Sequence, residues 1–206
     1  MAEKVLEAIK KLKGQKKRRF SQTFDLIVHL SSLDLKKPES KLNEDFKLPY
    51  GWGEDSKVGI FSDGMKSVTD ATMISSSELD KLGKDKSTAK KIIKNTDFFL
   101  AEAKMMPVVG KALGQLLAPR GLMPKILTGD PKVLVENLKK SIRIRIKDSP
   151  VIQCKVGKES MKDEDVAENV KAVLKHLETR LPKGRANINK VWLKLTMSEP
   201  MQIEVG

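Results

Sequence analysis

Residues 49–53 read Pro49-Tyr50-Gly51-Trp52-Gly53, and this stretch decides how the chain divides into domains. Proline fixes its own backbone and cannot donate a hydrogen bond to a helix or sheet, while glycine adopts conformations closed to other residues. These residues end the strand pattern that leads up to Leu48. Ser149-Pro150 makes a second break much later in the chain. We therefore predict one domain boundary at each break.

Outside the two breaks, both ends of the chain are rich in predicted strands. Apolar and polar residues alternate over residues 23–30, 151–156 and 188–197, which is typical of strands with one buried face. An apolar stripe at helical spacing, from Val166 to Leu181, predicts a long helix. Neither end has enough elements for a stable domain alone, so we expect both ends to form one sheet of about four to five strands with this helix on one face.

Between the breaks, short strands alternate with helices, which is typical of an α/β lobe. Isoleucines alternating with cations over residues 142–147 predict an edge strand of this lobe. The predicted fold class is α/β with two domains. One is a discontinuous α+β sandwich formed by both termini, residues 1–55 and 151–206. The other is an inserted three-layer, Rossmann-like α/β domain, residues 56–150.

The charge of the chain predicts its class of partner. Its 206 residues hold 40 Lys and Arg against 27 Asp and Glu, a formal net charge of +13. That imbalance indicates nucleic acid or an acidic membrane surface, and the basic footprint favours nucleic acid. No apolar run approaches the roughly 18 residues of a membrane span, so no membrane partner is expected. We expect a soluble, intracellular chain that is a monomer when free.

The sequence gives little support for an enzyme. His29 and His176 stand alone, and a lone histidine needs partners to bind a metal ion. Cys154 lies in an alternating strand without a neighbouring base, so we interpret it as a core residue rather than a nucleophile. Gly51-x-Gly53 lacks the third glycine of a dinucleotide fingerprint, and no P-loop sequence occurs. We therefore expect no catalytic residue, no cofactor and no metal ion.

Two groups of side chains are candidates for binding RNA. Residues 18–23 join two arginines, Phe20 and three hydrogen-bonding side chains directly before the first strand. The alternative for Phe20 is a place in the core. The second group shares one face of a later strand and consists of Lys190, Trp192, Lys194 and Thr196. Its alternative is an ordinary polar outer face of a sheet.

Residues 119–124, Pro119-Arg120-Gly121-Leu122-Met123-Pro124, form a stiff turn in which two prolines bracket a glycine. Together with other segments in the same order, this run resembles the first large-subunit ribosomal protein family, the protein of the mobile stalk beside the tRNA exit site. The archaeal branch fits best, and the matches extend over nearly the whole chain. The other matching segments are Phe20–Asp25, Leu33–Glu39, Leu48–Gly51, Met106-Pro107, Gly110-Lys111, Val156-Gly157, Ala167–Asn169 and Lys194–Met197.

The resemblance implies a structural protein of the large ribosomal subunit in the cytoplasm, with the two-domain arrangement described above. It implies that the first domain binds the stalk region of large-subunit rRNA. Other ribosomal components are implied as further partners. The inserted domain would swing on its two linkers and assist release of deacylated tRNA from the exit site. Because the family includes translational repressors, binding of the protein's own mRNA is implied as a second role.

The same resemblance implies the residues that bind RNA. By matching position they are Phe20, Thr23, Asp25, Lys36, Lys37, Lys158, Thr196, Met197 and Ser198. The two lysines at 36 and 37 would contact phosphates, and residues 196–198 would lie against the sugar edge of the RNA. Arg120 and Gly121 are assigned to a structural loop or a contact on the tRNA side.

The chain departs from the family pattern at several positions. Ser198 stands where the family usually has glycine, a residue that suits close approach of the backbone to RNA. Ala118 and Tyr50 replace a usual glycine and histidine, and residues 125–127 lack a usual proline. Two other interpretations stay open: a ribosome-assembly factor with the same RNA-binding domain, which would usually have long extensions, and an α/β enzyme using the inserted lobe.

Overall fold

The computed structural model describes residues 2–15, 18–35, 42–64, 71–146 and 149–203. Its helices are α1 (Ala2–Lys13), α2 (Ser76–Lys84), α3 (Lys86–Lys94), α4 (Met106–Leu117), α5 (Pro131–Lys139) and α6 (Asp163–Arg180). Its strands are β1 (Thr23–Leu30), β2 (Asn43–Lys47), β3 (Val58–Phe61), β4 (Ala71–Ile74), β5 (Phe98–Ala101), β6 (Lys125–Ile126), β7 (Ser141–Arg145), β8 (Val151–Lys158), β9 (Ile188–Leu195) and β10 (Met201–Ile203). The chain forms two compact units: unit 1 is Met1–Glu54 with Lys140–Gly206, and unit 2 is Asp55–Lys139.

Unit 1 is built on a four-stranded sheet in the order β10-β9-β1-β8, in which all neighbouring strands are antiparallel. The alternation along β1 buries Phe24, Leu26 and Val28 under α1 and α6. The predicted long helix is α6, and its apolar stripe lies in this core. The opposite face of the sheet, here called the outer face, consists of Asp25, Ile27, His29, Val151, Gln153, Lys155, Lys190, Trp192, Lys194 and Gln202.

The strand of alternating isoleucines belongs to unit 1 and not to the inserted domain. It is β7, which pairs antiparallel with β2, and Ile142, Ile144 and Ile146 are buried in the core of unit 1. The second boundary therefore lies between residues 139 and 140, rather than after residue 150. Burying each isoleucine contributes about 1.5–3 kcal/mol, so packing decides this boundary and the turn at Ser149-Pro150 does not.

Unit 2 is the predicted three-layer α/β lobe. Its parallel sheet has the order β4-β3-β5-β6. Alternation along β3 sends Phe61 toward α2, α3 and α4 on one face, and Val58 and Ile60 toward α5 on the other. The predicted fold class, α/β with a discontinuous α+β part formed by both termini and an inserted three-layer α/β part, is confirmed: the first has an antiparallel sheet and the second a parallel one.

The turn at residues 119–124 ends α4 in unit 2. A short 3-10 turn covers Ala118–Arg120, and Gly121 follows with a φ of 68°. The Gly121 N–H donates to the Ala118 carbonyl at 2.9 Å, and the Leu122 N–H donates to the Leu117 carbonyl at 3.0 Å. Because this left-handed backbone favours glycine, Gly121 has a structural reason to be there. Arg120 is exposed beside it.

Cys154 is a core residue. Its side chain lies in the core of unit 1. Burial, with the charge of Asp25 as a smaller cause, raises the pKa of its thiol to about 12, so the reactive thiolate does not form at neutral pH. Within the described part of the chain, no helix is long and apolar enough to cross a membrane, and no three potential metal-ligating side chains come together.

Candidate nucleic-acid interface

The start of β1 lies beside the turn that joins β9 to β10. The Thr23 N–H donates to Thr196 Oγ1 at 3.1 Å, and the Thr196 hydroxyl is 3.4 Å from the Thr23 carbonyl, to which it can donate. The backbone pairing of β1 with β9 extends only to Phe24 and Leu195. The Thr196 side chain therefore adds one more hydrogen-bonded step beyond the end of the ladder. Two segments far apart in sequence are thereby joined at one end of the sheet.

Ser198 closes the turn that carries Thr196. Its N–H donates to the Leu195 carbonyl at 3.1 Å, and its Oγ accepts from the Leu195 N–H at 2.8 Å. The hydroxyl proton can reach the carbonyl of Leu195 at 3.3 Å or of Glu199 at 3.1 Å. Among the described residues that are not glycine, only Ser32 has a positive φ, so the serine at 198, where the resemblance implies a glycine, causes no backbone strain. The added hydroxyl is used inside the turn.

Gln22 is a buried residue that holds this end of the sheet together. Its Oε1 accepts from the Met197 N–H at 3.1 Å. Its own backbone exchanges hydrogen bonds with Glu159: the Gln22 N–H donates to the Glu159 carboxylate at 3.3 Å, and the Gln22 carbonyl accepts from the Glu159 N–H at 2.9 Å. The sequence placed Gln22 among the hydrogen-bonding side chains of residues 18–23 that could contact RNA, but its side chain is buried and its role is structural. Gln22 lies two residues before Phe24, and residues two apart in a strand face the same side of the sheet. That spacing is the signal that could have shown its side chain to point inward.

Large apolar side chains stand in solvent at this end of the sheet. Phe20 is 51% exposed and Met197 is 57% exposed, so the core alternative for Phe20 is excluded. Arg18 is exposed as well. Next to them is an open depression of about 390 Å³ lined by Gln15, Arg18, Gln22, Leu195, Met197, Ser198 and Glu199. An exposed aromatic ring next to cations provides stacking and phosphate pairing, the two contacts that RNA offers most readily.

Asp25 lies on the outer face, between lysines of both neighbouring strands. It is in register with Lys155 of β8 and Lys194 of β9. Burial raises the pKa of the Asp25 carboxyl, and the positive charge of Lys194 opposes that rise only in part. The carboxylate adds a hydrogen-bond acceptor to this basic surface, which suits a ribose hydroxyl or an exocyclic amine.

Lys158 ends β8 directly opposite Thr23. Its ammonium forms an ion pair with Glu54. A Cβ added at Gly53, where φ is 95°, would meet the Lys158 stem at 3.0 Å. A second lysine of β8 contacts the same loop: the Lys155 ammonium lies 3.4 Å from the centre of the Trp52 ring, a cation–π contact. The loop at residues 49–54 therefore sets the positions of both lysines.

Asn169 of α6 fixes that loop. The side chain is fully buried, and its Nδ2 donates to the carbonyl of Gly51 at 2.6 Å and to that of Val156 at 2.9 Å. Its Oδ1 accepts from the Tyr50 N–H at 3.2 Å. One amide thus joins α6, β8 and the loop, and it uses both its donor and its acceptor groups to do so.

The predicted RNA-binding residues fall into three groups. The first lies at one end of the unit 1 sheet and is here called the strand-end site: Phe20, Thr23, Asp25, Lys158, Thr196, Met197 and Ser198. The second, Lys36 and Lys37, lies outside the described residues. The third, Arg120 and Gly121, belongs to unit 2.

Comparisons with known proteins identify the family to which the chain is similar. The family model described as Ribosomal protein L1p/L10e family matches residues 9–199. The chain is similar to the large ribosomal subunit protein uL1 of Methanobrevibacter smithii, with 42% identity covering 98% of this chain and 100% of the relative. The same-named proteins of Methanothermococcus thermolithotrophicus and Pyrococcus horikoshii are 41% and 39% identical, covering 98% of this chain and 98% and 96% of theirs.

Proposed function

The chain belongs to the ribosomal protein L1p/L10e family, and from that membership we propose that it is a structural constituent of the large ribosomal subunit in the cytoplasm and binds large-subunit rRNA. The relatives are named as ribosomal proteins, which agrees with the expectation that the chain is not an enzyme. The net charge of +13 supports a polyanionic partner.

We assign rRNA binding to the strand-end site of unit 1. The observation that carries this assignment is the hydrogen-bonded junction of Thr23 with Thr196, because it gathers residues from both chain ends into one rigid surface. Exposed Phe20 and Met197 stand at this surface, where they can pack against a base or a sugar. A preformed surface of this kind suits a folded RNA, since little conformational entropy is lost on binding.

Titration of the full chain with a fragment of the stalk rRNA, at several salt concentrations, tests the proposal. We expect the logarithm of the affinity to fall linearly with the logarithm of salt, by about 0.7–0.9 for each phosphate neutralised. A plain RNA duplex of equal length is the control for charge alone. We expect the folded fragment to bind more tightly than the duplex at every salt concentration. Equal affinities would mean that the protein binds RNA through charge alone, and would contradict specific recognition of the stalk rRNA.

Two finer roles are supported by the family alone. We propose that the protein assists release of deacylated tRNA from the exit site, with Arg120 of unit 2 as a tRNA-side contact.

We also propose that it represses translation of its own mRNA, which requires only a second RNA that fits the strand-end site. A leader fragment of that mRNA should then displace the stalk rRNA fragment competitively, and simultaneous binding of both RNAs would rule out a shared site.

A further inference from the structure

Of the residues that form the outer face of the unit 1 sheet, only Asp25 also belongs to the strand-end site. The middle row of the outer face runs across all four strands, because Ile27 is in register with Gln153 of β8 and Trp192 of β9, and Trp192 is in register with Gln202 of β10. Trp192 therefore occupies the centre of the face, with an apolar neighbour on one side and an amide on the other.

Aromatic and cationic groups surround Trp192. Lys190 and Lys194 flank it along β9, and His29 lies opposite Lys190 on β1. His29 is exposed and is a diagonal neighbour of Trp192, a relation that places side chains on one face about 7–8 Å apart. Two ring systems thus lie on one surface, at a spacing comparable to that of successive bases in an extended strand.

The charge of this surface indicates which partner it fits. Among its described residues, the outer face carries Lys155, Lys190 and Lys194 against one acid, Asp25, and the two glutamines in the middle row provide both donors and acceptors. A sheet face with central aromatic rings, flanking cations and amides matches the needs of unpaired nucleotides: stacking for the bases, cations for the phosphates and amides for the base edges. The surface is also continuous with the strand-end site through Asp25 and Lys194.

We propose that the outer face binds a single-stranded RNA segment, with one base stacked on Trp192 and its neighbour beside His29. This contact goes beyond the proposed function, because the strand-end site recognises a folded RNA whereas the outer face takes unpaired nucleotides. Lys190 and Lys194 pair with the phosphates on either side of the stacked base. An apolar protein partner would gain nothing from these two lysines, so the charge favours RNA.

Fluorescence anisotropy of a labelled oligouridylate of about eight nucleotides tests the proposal on the full chain. We expect Trp192→Leu to weaken binding on the order of 10-fold, because stacking on the ring is lost, and Trp192→Phe to keep most of the affinity. Tryptophan emission should be quenched on binding in the parent chain. It should not be quenched in Trp192→Leu, whose remaining tryptophan, Trp52, is buried.

A second pair of variants keeps the test independent of any change in folding. Lys190→Gln should lower the affinity for oligouridylate and flatten its salt dependence, whereas Lys104→Gln, an exposed lysine of unit 2, should do neither. Equal binding by the parent, Trp192→Leu and Lys190→Gln chains would overturn the proposal. Binding of the stalk rRNA fragment distinguishes the two sites, because Trp192→Leu should bind this fragment as tightly as the parent chain does. If the fragment does not bind the parent chain, the proposed function is contradicted, while the oligouridylate result still tests the outer face.

Discussion

Asn169→Asp should lower the free energy of unfolding of unit 1 by on the order of 3–5 kcal/mol, the usual cost of an uncompensated buried charge. The substitution changes the shape of the side chain very little. It replaces the Nδ2 group, which donates to the carbonyls of Gly51 and Val156, by an oxygen that donates to neither when ionised. The site is fully buried, so water cannot take over the lost contacts.

Urea unfolding followed by tryptophan fluorescence measures this change selectively. The chain has two tryptophans, Trp52 and Trp192, and both belong to unit 1, so their emission does not follow unit 2. Asn189→Asp is the matched control, because Asn189 is exposed in the same unit, and we expect a change of about 0.5 kcal/mol or less there. Equal effects of the two substitutions would mean that Asn169 does not hold the fold together.

Asn169→Leu separates the lost hydrogen bonds from the added charge. It leaves the Gly51 and Val156 carbonyls and the Tyr50 N–H without the amide, at about 1–3 kcal/mol for each group that stays buried and unpaired. The loop at residues 49–54 also carries Glu54, the ion-pair partner of Lys158. Both variants should therefore weaken rRNA binding through the position of Lys158, at temperatures where unit 1 is still folded.

Thr196→Val should weaken binding to the stalk rRNA fragment about 5- to 150-fold, which corresponds to about 1–3 kcal/mol. Valine has nearly the same shape but cannot accept the hydrogen bond of the Thr23 N–H. In the free protein Thr196 is exposed, so water can replace the hydroxyl and the stability of unit 1 should hardly change. Once RNA covers this end of the sheet, water is excluded and the Thr23 N–H has no partner.

Thr128→Val is the matched control for this substitution. Thr128 is an exposed threonine of unit 2, and its hydroxyl donates to the Ile126 carbonyl at 3.3 Å. We expect its affinity for the fragment to equal that of the parent chain. An unchanged affinity of Thr196→Val would remove Thr196 from the interface, and equal losses in both variants would indicate a general effect of the substitution rather than a local one.

Local patterns in the sequence were sufficient to predict most elements of both units, but not the two-residue strand β6. Alternation placed β1, β8 and β9, helical spacing placed α6, and the change of rhythm after residue 57 indicated the parallel lobe. The position of β7 could not be found this way, because its alternating isoleucines fit an edge strand of either unit. Only the long-range pairing of β7 with β2, and the burial of Ile142, Ile144 and Ile146, decides between them.

The candidate site shows the same division between local and long-range information. Matching motifs pointed to Thr23 and Thr196, but their direct hydrogen bond follows from antiparallel register across the sheet, which no local pattern contains. The roles of Gln22 and Asn169 were missed for a similar reason. Each is a polar residue whose importance comes from burial and from partners distant in the chain.

The central claim is that the strand-end site of unit 1 binds the stalk rRNA, and methyl NMR of methionine-labelled protein tests it most directly. Met197 at the strand-end site and Met123 in unit 2 are both large, exposed side chains, 57% and 45% accessible, and substitution of each by leucine assigns its signal. On addition of the rRNA fragment, we expect the Met197 methyl signal to shift or broaden while that of Met123 stays in place. A shift of Met123 with an unchanged Met197 signal would contradict the account.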